Sequence, residues 1–87
     1  MSNDIENLKK RLIYRSQYRG TKEMDKLIGS FVKTNIDNFN KIQLIELEKF
    51  LSIDDDTLYK IYNNQIFNPK DISQEFVNLY KSHIYKK

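Results

Sequence analysis

The sequence has no cysteine, no tryptophan, one histidine, one proline and two glycines in its 87 residues. The absence of cysteine excludes disulfides, thiolate zinc sites and cysteine nucleophiles, and it fits a reducing compartment. The single histidine, His83, cannot build a multi-histidine metal site. The sequence also lacks a glycine-rich phosphate loop and any cluster of metal ligands. It therefore predicts no catalytic residues, no metal site and a protein that is not an enzyme.

Long hydrophobic runs are missing as well. No window approaches the roughly 18 uncharged apolar residues of a membrane-spanning helix, so none is predicted. Asp4 and Glu6 lie at the N-terminus without an apolar segment, which argues against a secretory or mitochondrial targeting segment. We therefore expect a cytoplasmic bacterial protein, or a mitochondrial matrix protein if the chain is a processed organellar form.

Strand-like alternation is absent, and the apolar residues recur instead at helical spacing. The clearest amphipathic pattern comprises Met24, Leu27, Ile28, Phe31 and Val32. A chain of this length can bury one hydrophobic core. We predict an all-α fold: a compact single domain over residues 1–87, a bundle of about five short helices at roughly 4–17, 21–35, 41–52, 55–63 and 70–85.

Capping residues predict where two of these helices begin. Asn40 and Gln43 have the spacing of a capping box, in which each side chain accepts from the other's backbone N–H. For the fifth helix, either Asn68 followed by Pro69 or Asp71 is expected to provide the cap.

Two apolar features predict contacts between helices. The third helix is apolar on more than one face, because Ile42 and Ile45 add to its main stripe, and this predicts neighbours on two sides. In the connector before the fifth helix, Ile66 and Phe67 are expected to pack against the core.

Charge is unevenly distributed, although the net charge is only +3. Residues 9–26 contain seven basic residues, and residues 37–56 are mainly acidic. Tyr14 and Tyr18 are interleaved with the basic residues, so this stretch could contact phosphates and stack on bases. A small helical nucleic-acid-binding protein is therefore one alternative. The low net charge, the acidic second half and the lack of helix-turn-helix spacing argue against it.

Residues 15–25 concentrate charge and one of the two glycines between two predicted helices. Gly20 can take a positive φ at a helix end and can let another backbone approach closely. Thr21 and Glu23 favour a new helix directly after it. The simplest interpretation is a Schellman-type stop followed by a cap, which would expose a compact polar corner.

The same stretch also resembles a known family. Tyr14–Ser16, followed by Arg19-Gly20-x-x-Glu23-Met24-Asp25, is similar to the Arg-Gly-x-x-Glu segment of the small assembly factors that help attach FAD covalently to the flavoprotein subunit of succinate dehydrogenase. The resemblance covers about residues 8–64, and its matching positions further along the chain are Leu51, Asp55, Leu58 and Tyr59. Thr57 and Ile61 depart from the family, in which many members have aspartate and tryptophan.

The resemblance implies a monomeric, non-enzymatic factor that binds this flavoprotein subunit, with the fumarate reductase subunit as a second candidate. It implies no stably bound cofactor, because the factor acts on FAD attachment in its partner. Arg19 would offer the planar N–H donors of its guanidinium to the partner. Gly20 would leave room for the partner because it has no side chain. Glu23 would either contact the partner or hold Arg19 in place. The implied partner-binding residues are Arg15, Tyr18, Arg19, Gly20, Glu23 and Asp25. An interaction domain for another partner is the remaining alternative.

Overall fold

A computed structural model describes residues 2–17, 19–65, 69 and 71–84. Within these residues the chain forms five α-helices and no strand. The helices are α1 (Ser2–Gln17), α2 (Lys22–Asn35), α3 (Lys41–Leu51), α4 (Asp55–Tyr62) and α5 (Gln74–Ser82), and a 3-10 turn, Ile36–Asn38, follows α2. The predicted all-α bundle of about five short helices is confirmed. None of the described helices is long and apolar enough to cross a membrane.

The predicted capping box at the start of α3 is confirmed. The Gln43 backbone N–H donates to Asn40 Oδ1 at 2.8 Å, and the Asn40 N–H donates to Gln43 Oε1 at 2.9 Å. Thr21 caps α2 and Asp54 caps α4 in the same general way, each through its side-chain oxygen. These caps supply acceptors to N–H groups that have no partner inside their helices.

The fifth helix begins later than predicted, at Gln74, and ends at Ser82. Its cap is Ser73, whose hydroxyl accepts from the Phe76 N–H at 3.2 Å, so both predicted starting points were wrong for the observed helix. A carboxylate from α3 fixes the cap, because the Ser73 N–H donates to Glu46 Oε2 at 2.8 Å. Asn68 and the predicted end at residue 85 lie outside the described residues.

Phe31 of α2 lies at the centre of the core and is fully buried. Its ring centroid is 5.4 Å from that of Tyr80, 5.7 Å from Phe76 and 5.8 Å from Phe50, in tilted or edge-to-face arrangements that favour aromatic packing. Met24, assigned to the core by its place in the α2 stripe, is also buried. The same helix therefore carries the centre of the core and, at its N-terminal end, the polar corner.

Gly29 lies where the end of α1 packs on α2, and this position has room for a Cβ atom. A Cβ atom built there would lie 3.7 Å from the backbone oxygen of Ser16, an ordinary contact distance. Gly29 and Ser16 are both buried. The end of α1 is thus held directly against α2, which fixes where the chain leaves α1 toward the corner.

The second apolar face of α3 has no covering element among the described residues. Ile42 and Ile45 are 69% and 44% exposed, so the expectation of neighbours on two sides is wrong at these positions. Only one stripe of α3, with Leu44, Leu47 and Leu51, enters the core, as is usual for a helix at the surface of a bundle. Ile66 and Phe67 lie outside the described residues.

The end of α5 is fastened to α2 and α4 through His83. Its Nε2 lies 2.8 Å from Ser30 Oγ, and its backbone oxygen accepts from the Tyr62 hydroxyl at 2.5 Å. The imidazole ring also packs edge-to-face against the Phe31 ring, with 5.7 Å between the two centroids. Partial burial lowers the pKa of His83 below its usual value.

Candidate functional site

The corner comprises Arg19, Gly20 and Thr21, which connect α1 to α2. Gly20 does not have a positive φ, so the left-handed conformation of a Schellman-type stop is wrong for this residue. The need for glycine comes from a close approach instead. A Cβ atom at this position would lie 3.2 Å from Asp55 Oδ2, closer than most Cβ contacts. The group that approaches is a side chain of α4, whereas the sequence suggested a backbone.

The Arg19 side chain points into the chain, and only 10% of it is exposed. Its Nε donates to Asp55 Oδ1 at 2.7 Å. Its two terminal nitrogens donate to the backbone oxygens of Leu51 and Ile53, at 2.6 and 2.5 Å. Leu51 is the last residue of α3, where carbonyl groups lack partners within the helix. Arg19 therefore joins the α1–α2 corner to the α3–α4 connection.

Two carboxylates hold the backbone of the corner. Asp55 Oδ2 accepts from the Gly20 N–H at 3.0 Å, in addition to its bond with Arg19. Asp25 Oδ1 accepts from the Arg19 N–H at 2.5 Å. Both residues lie in the first turn of their helices, where the positive end of the helix dipole favours negative charge. Of the predicted site residues, Arg19, Gly20 and Asp25 are thus brought together.

Glu23 is exposed in the first turn of α2, one residue beyond the start of the helix. It lines a groove of about 380 Å³ between α2 and α4. The groove is lined by Thr21, Glu23, Met24, Asp55, Asp56 and Tyr59. Tyr59 is 42% exposed. The groove therefore offers both an aromatic surface and carboxylates directly beside the corner.

Arg15 lies near the same α3–α4 connection but is exposed. Its Nη2 donates to Ser52 Oγ at 3.3 Å. Arg15 therefore contacts the α3–α4 connection from the exposed side, whereas Arg19 contacts it from the interior. Tyr18, the sixth predicted residue, lies outside the described residues.

Asp55 is the functional candidate to which the sequence analysis assigns no role. In the resemblance it is only a matching position, and its acidic neighbours make it look like an ordinary first-turn residue of α4. Its partners Arg19 and Gly20 lie 36 and 35 positions earlier in the chain. Local spacing cannot reveal such a contact. The available indication would have been that Arg19 needs an acidic partner from a distant part of the sequence.

Comparisons with known proteins match a part of the chain that includes this corner. The family model described as "Flavinator of succinate dehydrogenase" matches residues 10–84. "Succinate dehydrogenase assembly factor 2, mitochondrial" of Dictyostelium discoideum is 31% identical over 80 residues, which are 92% of this chain and 57% of the relative. "FAD assembly factor SdhE" of Acetobacter pasteurianus is 40% identical over 50 residues, which are 58% of this chain and 46% of the relative.

A third relative is "Succinate dehydrogenase assembly factor 2-B, mitochondrial" of Drosophila ananassae, with 31% identity over 78 residues, 87% of this chain and 48% of the relative. The chain spans about half the length of these curated relatives. No solved structure gives a significant match. Since the family model covers the corner, the groove and all five helices apart from the first turns of α1, this chain belongs to the family of succinate dehydrogenase flavinators.

Proposed function

We propose that this protein is an assembly factor that binds the flavoprotein subunit of succinate dehydrogenase and promotes the covalent attachment of FAD to it. The observation that carries the proposal is the firmly held Arg19–Gly20 corner beside the exposed Glu23, within the segment that the family model matches. The printed names of the relatives, which include FAD assembly and succinate dehydrogenase assembly, support the same role.

The proposed mechanism is positioning rather than chemistry by this chain. Covalent attachment requires that the flavin and the reacting side chain of the partner are correctly oriented, and fixing such an arrangement lowers the barrier. A bound helper can favour the competent arrangement only if it binds that arrangement more tightly than the others. The factor would then act without a cofactor of its own and would not be an enzyme.

The six residues Arg15, Tyr18, Arg19, Gly20, Glu23 and Asp25 are proposed to form or support the partner-binding surface. For Glu23 we propose contact with the partner, because it is exposed and lines the groove beside the corner. Gly20 has no side chain that would obstruct the partner beside Glu23. Arg19 and Asp25 hold the surface from within, and Arg15 lies at its edge. Tyr18 is included because of its place in the sequence.

The arrangement of the basic residues favours a protein partner over nucleic acid. Residues 9–26 do not form one uniformly exposed basic face. Arg19 is turned inward, and Lys9 lies 3.9 Å from Asp37 in the acidic part of the chain. Phosphate contacts require exposed cations along a continuous surface. An interaction domain for a different partner remains the alternative, and the experiment below separates the two.

The proposal includes a monomeric factor that acts in the bacterial cytoplasm, or in the mitochondrial matrix for a processed organellar form. The similar proteins include a bacterial factor and others whose names state that they are mitochondrial. The fumarate reductase flavoprotein subunit is proposed as a second possible partner, because it is related to the succinate dehydrogenase subunit.

Co-expression with the cognate flavoprotein subunit tests the function. Covalent flavin is read as in-gel fluorescence after denaturation, with and without the factor, and a parallel arm uses the fumarate reductase subunit. We expect the wild type to raise flavin incorporation and Glu23→Ala to lower that gain roughly tenfold, the typical effect of losing one important interface residue.

Glu75→Ala is the matched control, because Glu75 is also an exposed glutamate in the second position of its helix. It should behave as the wild type. If the wild type neither forms a complex nor changes flavin incorporation, the proposed function is wrong. Equal losses in the two glutamate variants would show that general charge, rather than the corner, controls the effect.

A further inference from the structure

Asp55 contacts two consecutive residues of the corner with its two carboxylate oxygens. Oδ1 accepts from the Arg19 Nε, and Oδ2 accepts from the Gly20 backbone N–H. Only 23% of the Asp55 side chain is exposed. One side chain of α4 therefore fixes both the direction of the arginine and the position of the glycine that follows it.

Arg19 adds further bonds to the same arrangement. Besides Asp55, its guanidinium reaches the backbone oxygens of Leu51 and Ile53. To contact a partner with these same donors, Arg19 would have to leave three acceptors, one of them charged. Hydrogen bonds that involve charged groups are the stronger ones in proteins. Arg19 is therefore part of the internal frame, and Asp55 is its principal anchor.

The frame continues into the turn that carries Glu23. Thr21 Oγ1 accepts from the Met24 N–H at 3.1 Å, and the Thr21 backbone oxygen accepts from the Asp25 N–H at 2.9 Å. The Asp25 carboxylate in turn accepts from the Arg19 N–H. The backbone on both sides of Glu23 is thus connected to Arg19 and, through Arg19 and Gly20, to Asp55.

We infer that Asp55 is a positioning residue for partner recognition: it holds the Arg19–Gly20 corner in the one arrangement that presents Gly20 and Glu23 to the partner. The inference rests on the proposed function. Its physical basis is preorganisation, because a surface that is already ordered does not have to be ordered on binding. On this view α4 contributes to recognition through Asp55, and the departures at Thr57 and Ile61 leave this contribution intact.

Asp55→Asn tests the inference without a change of size. Asparagine has one acceptor oxygen and one NH2 group, so either the Arg19 Nε–H or the Gly20 N–H would face a donor. Asp54→Asn is the matched control: it removes the same charge one residue earlier, and asparagine caps helices as well as aspartate does. We expect Asp55→Asn to weaken binding of the flavoprotein subunit roughly tenfold, as for loss of a charge-assisted hydrogen bond, and Asp54→Asn to leave it within about twofold.

The backbone amide signals of Gly20 and Glu23, measured by NMR on the isolated chain, provide a second readout that needs no partner. In Asp55→Asn both signals should move while the core methyl signals stay in place, and in Asp54→Asn the two amides should stay. If the wild type fails to bind the flavoprotein subunit, the proposed function fails, and the amide signals still decide whether Asp55 positions the corner. The inference would be overturned if the Gly20 and Glu23 amide signals stayed in place in Asp55→Asn. It would also be overturned if folded Asp55→Asn and Asp54→Asn bound the flavoprotein subunit with equal affinity.

Arg19→Lys poses the same question if Asp55→Asn does not fold. Lysine keeps the positive charge, but its single ammonium group cannot reproduce the planar arrangement of donors to Asp55, Leu51 and Ile53. We expect roughly tenfold weaker binding and a displaced Glu23 amide signal in the folded variant. A folded Arg19→Lys chain with wild-type affinity and an unmoved Glu23 amide would contradict the inference.

Discussion

At Gly20 the constraint is the space beside Asp55 rather than the backbone conformation. We predict that Gly20→Ala weakens partner binding several-fold, because the added Cβ would lie 3.2 Å from Asp55 Oδ2 and shift that carboxylate by a few tenths of an ångström. Gly20 is exposed, so the free energy of unfolding should change by only about 1 kcal/mol or less. Gly20→Arg should leave the chain folded and abolish binding. Urea unfolding and a binding titration measure the two effects separately.

The second glycine provides the control for this prediction. Gly29 lies inside α2, and a Cβ there meets the Ser16 oxygen at an acceptable 3.7 Å. Alanine is a better helix former than glycine by about 1 kcal/mol, so Gly29→Ala should keep or raise stability and leave binding unchanged. If Gly20→Ala binds as tightly as the wild type, the steric explanation is wrong. If Gly20→Arg unfolds, the glycine serves the fold rather than the surface.

At the scale of the helices, local signals could be predicted from the sequence and distant partners could not. The α3 cap depends on Asn40 and Gln43, three positions apart, and the sequence alone identifies it. The α5 cap, Ser73, also bonds locally to the Phe76 N–H, but its own N–H donates to Glu46, 27 positions away, and the predicted start was wrong. Arg19 presents the same problem at the candidate site. Its residue type suggested donors for a partner, whereas its acceptors come from the α3–α4 connection.

The end of α5 should make stability depend on pH through His83. Burial lowers the pKa of His83 in the folded chain below its usual 6.5, so the unfolded chain binds the proton more readily. The stability due to the neutral ring is present above about pH 6.5 and is lost as the pH falls through the lowered pKa. We expect a lower urea midpoint at about pH 5.5 than at about pH 7.5, with a smaller difference in His83→Gln.

The environment of His83 gives this prediction its control. The group that faces Nε2 is the uncharged Ser30 hydroxyl, which donates its hydrogen to the Leu27 backbone oxygen at 3.2 Å, so that its oxygen can accept from a ring N–H. Ser30→Ala removes this partner and leaves the histidine. It should lower the urea midpoint but leave the dependence on pH in place, because the burial that lowers the pKa of His83 is unchanged. Equal pH dependence in the wild type and His83→Gln would assign the effect to other groups.

For the whole molecule, the fold brings the basic and acidic parts of the sequence into contact. Lys9 pairs with Asp37, and Arg19 pairs with Asp55, so residues of the basic stretch 9–26 meet residues of the acidic stretch 37–56. Charge counting along the sequence predicts an electrically polar molecule, but it cannot show which charges face each other. The partly buried Arg19–Asp55 pair therefore belongs to the architecture, and part of the apparent basic surface is used to connect the helices.

Substitutions of Phe31 distinguish the contribution of the core from that of the corner. Replacement by alanine should cost about 3–5 kcal/mol, a large fraction of the roughly 5–15 kcal/mol that stabilises a small domain, because Phe39, Phe50, Phe76, Tyr80 and His83 lose a ring neighbour. Phe31→Leu should cost only about 1–2 kcal/mol and leave a folded chain. Thermal unfolding followed by circular dichroism measures both.

Covalent flavin incorporation by the folded Phe31→Leu chain then shows whether recognition depends on overall stability or on the corner. The hydrogen bonds of Arg19 and Asp55 do not involve Phe31, so incorporation should equal that of the wild type at temperatures where the variant is folded. Asp55→Asn should show the opposite pattern, with reduced incorporation at the same temperatures. If the folded Phe31→Leu chain loses incorporation as strongly as Asp55→Asn, packing of the whole bundle controls partner recognition, and the special role of the corner is wrong.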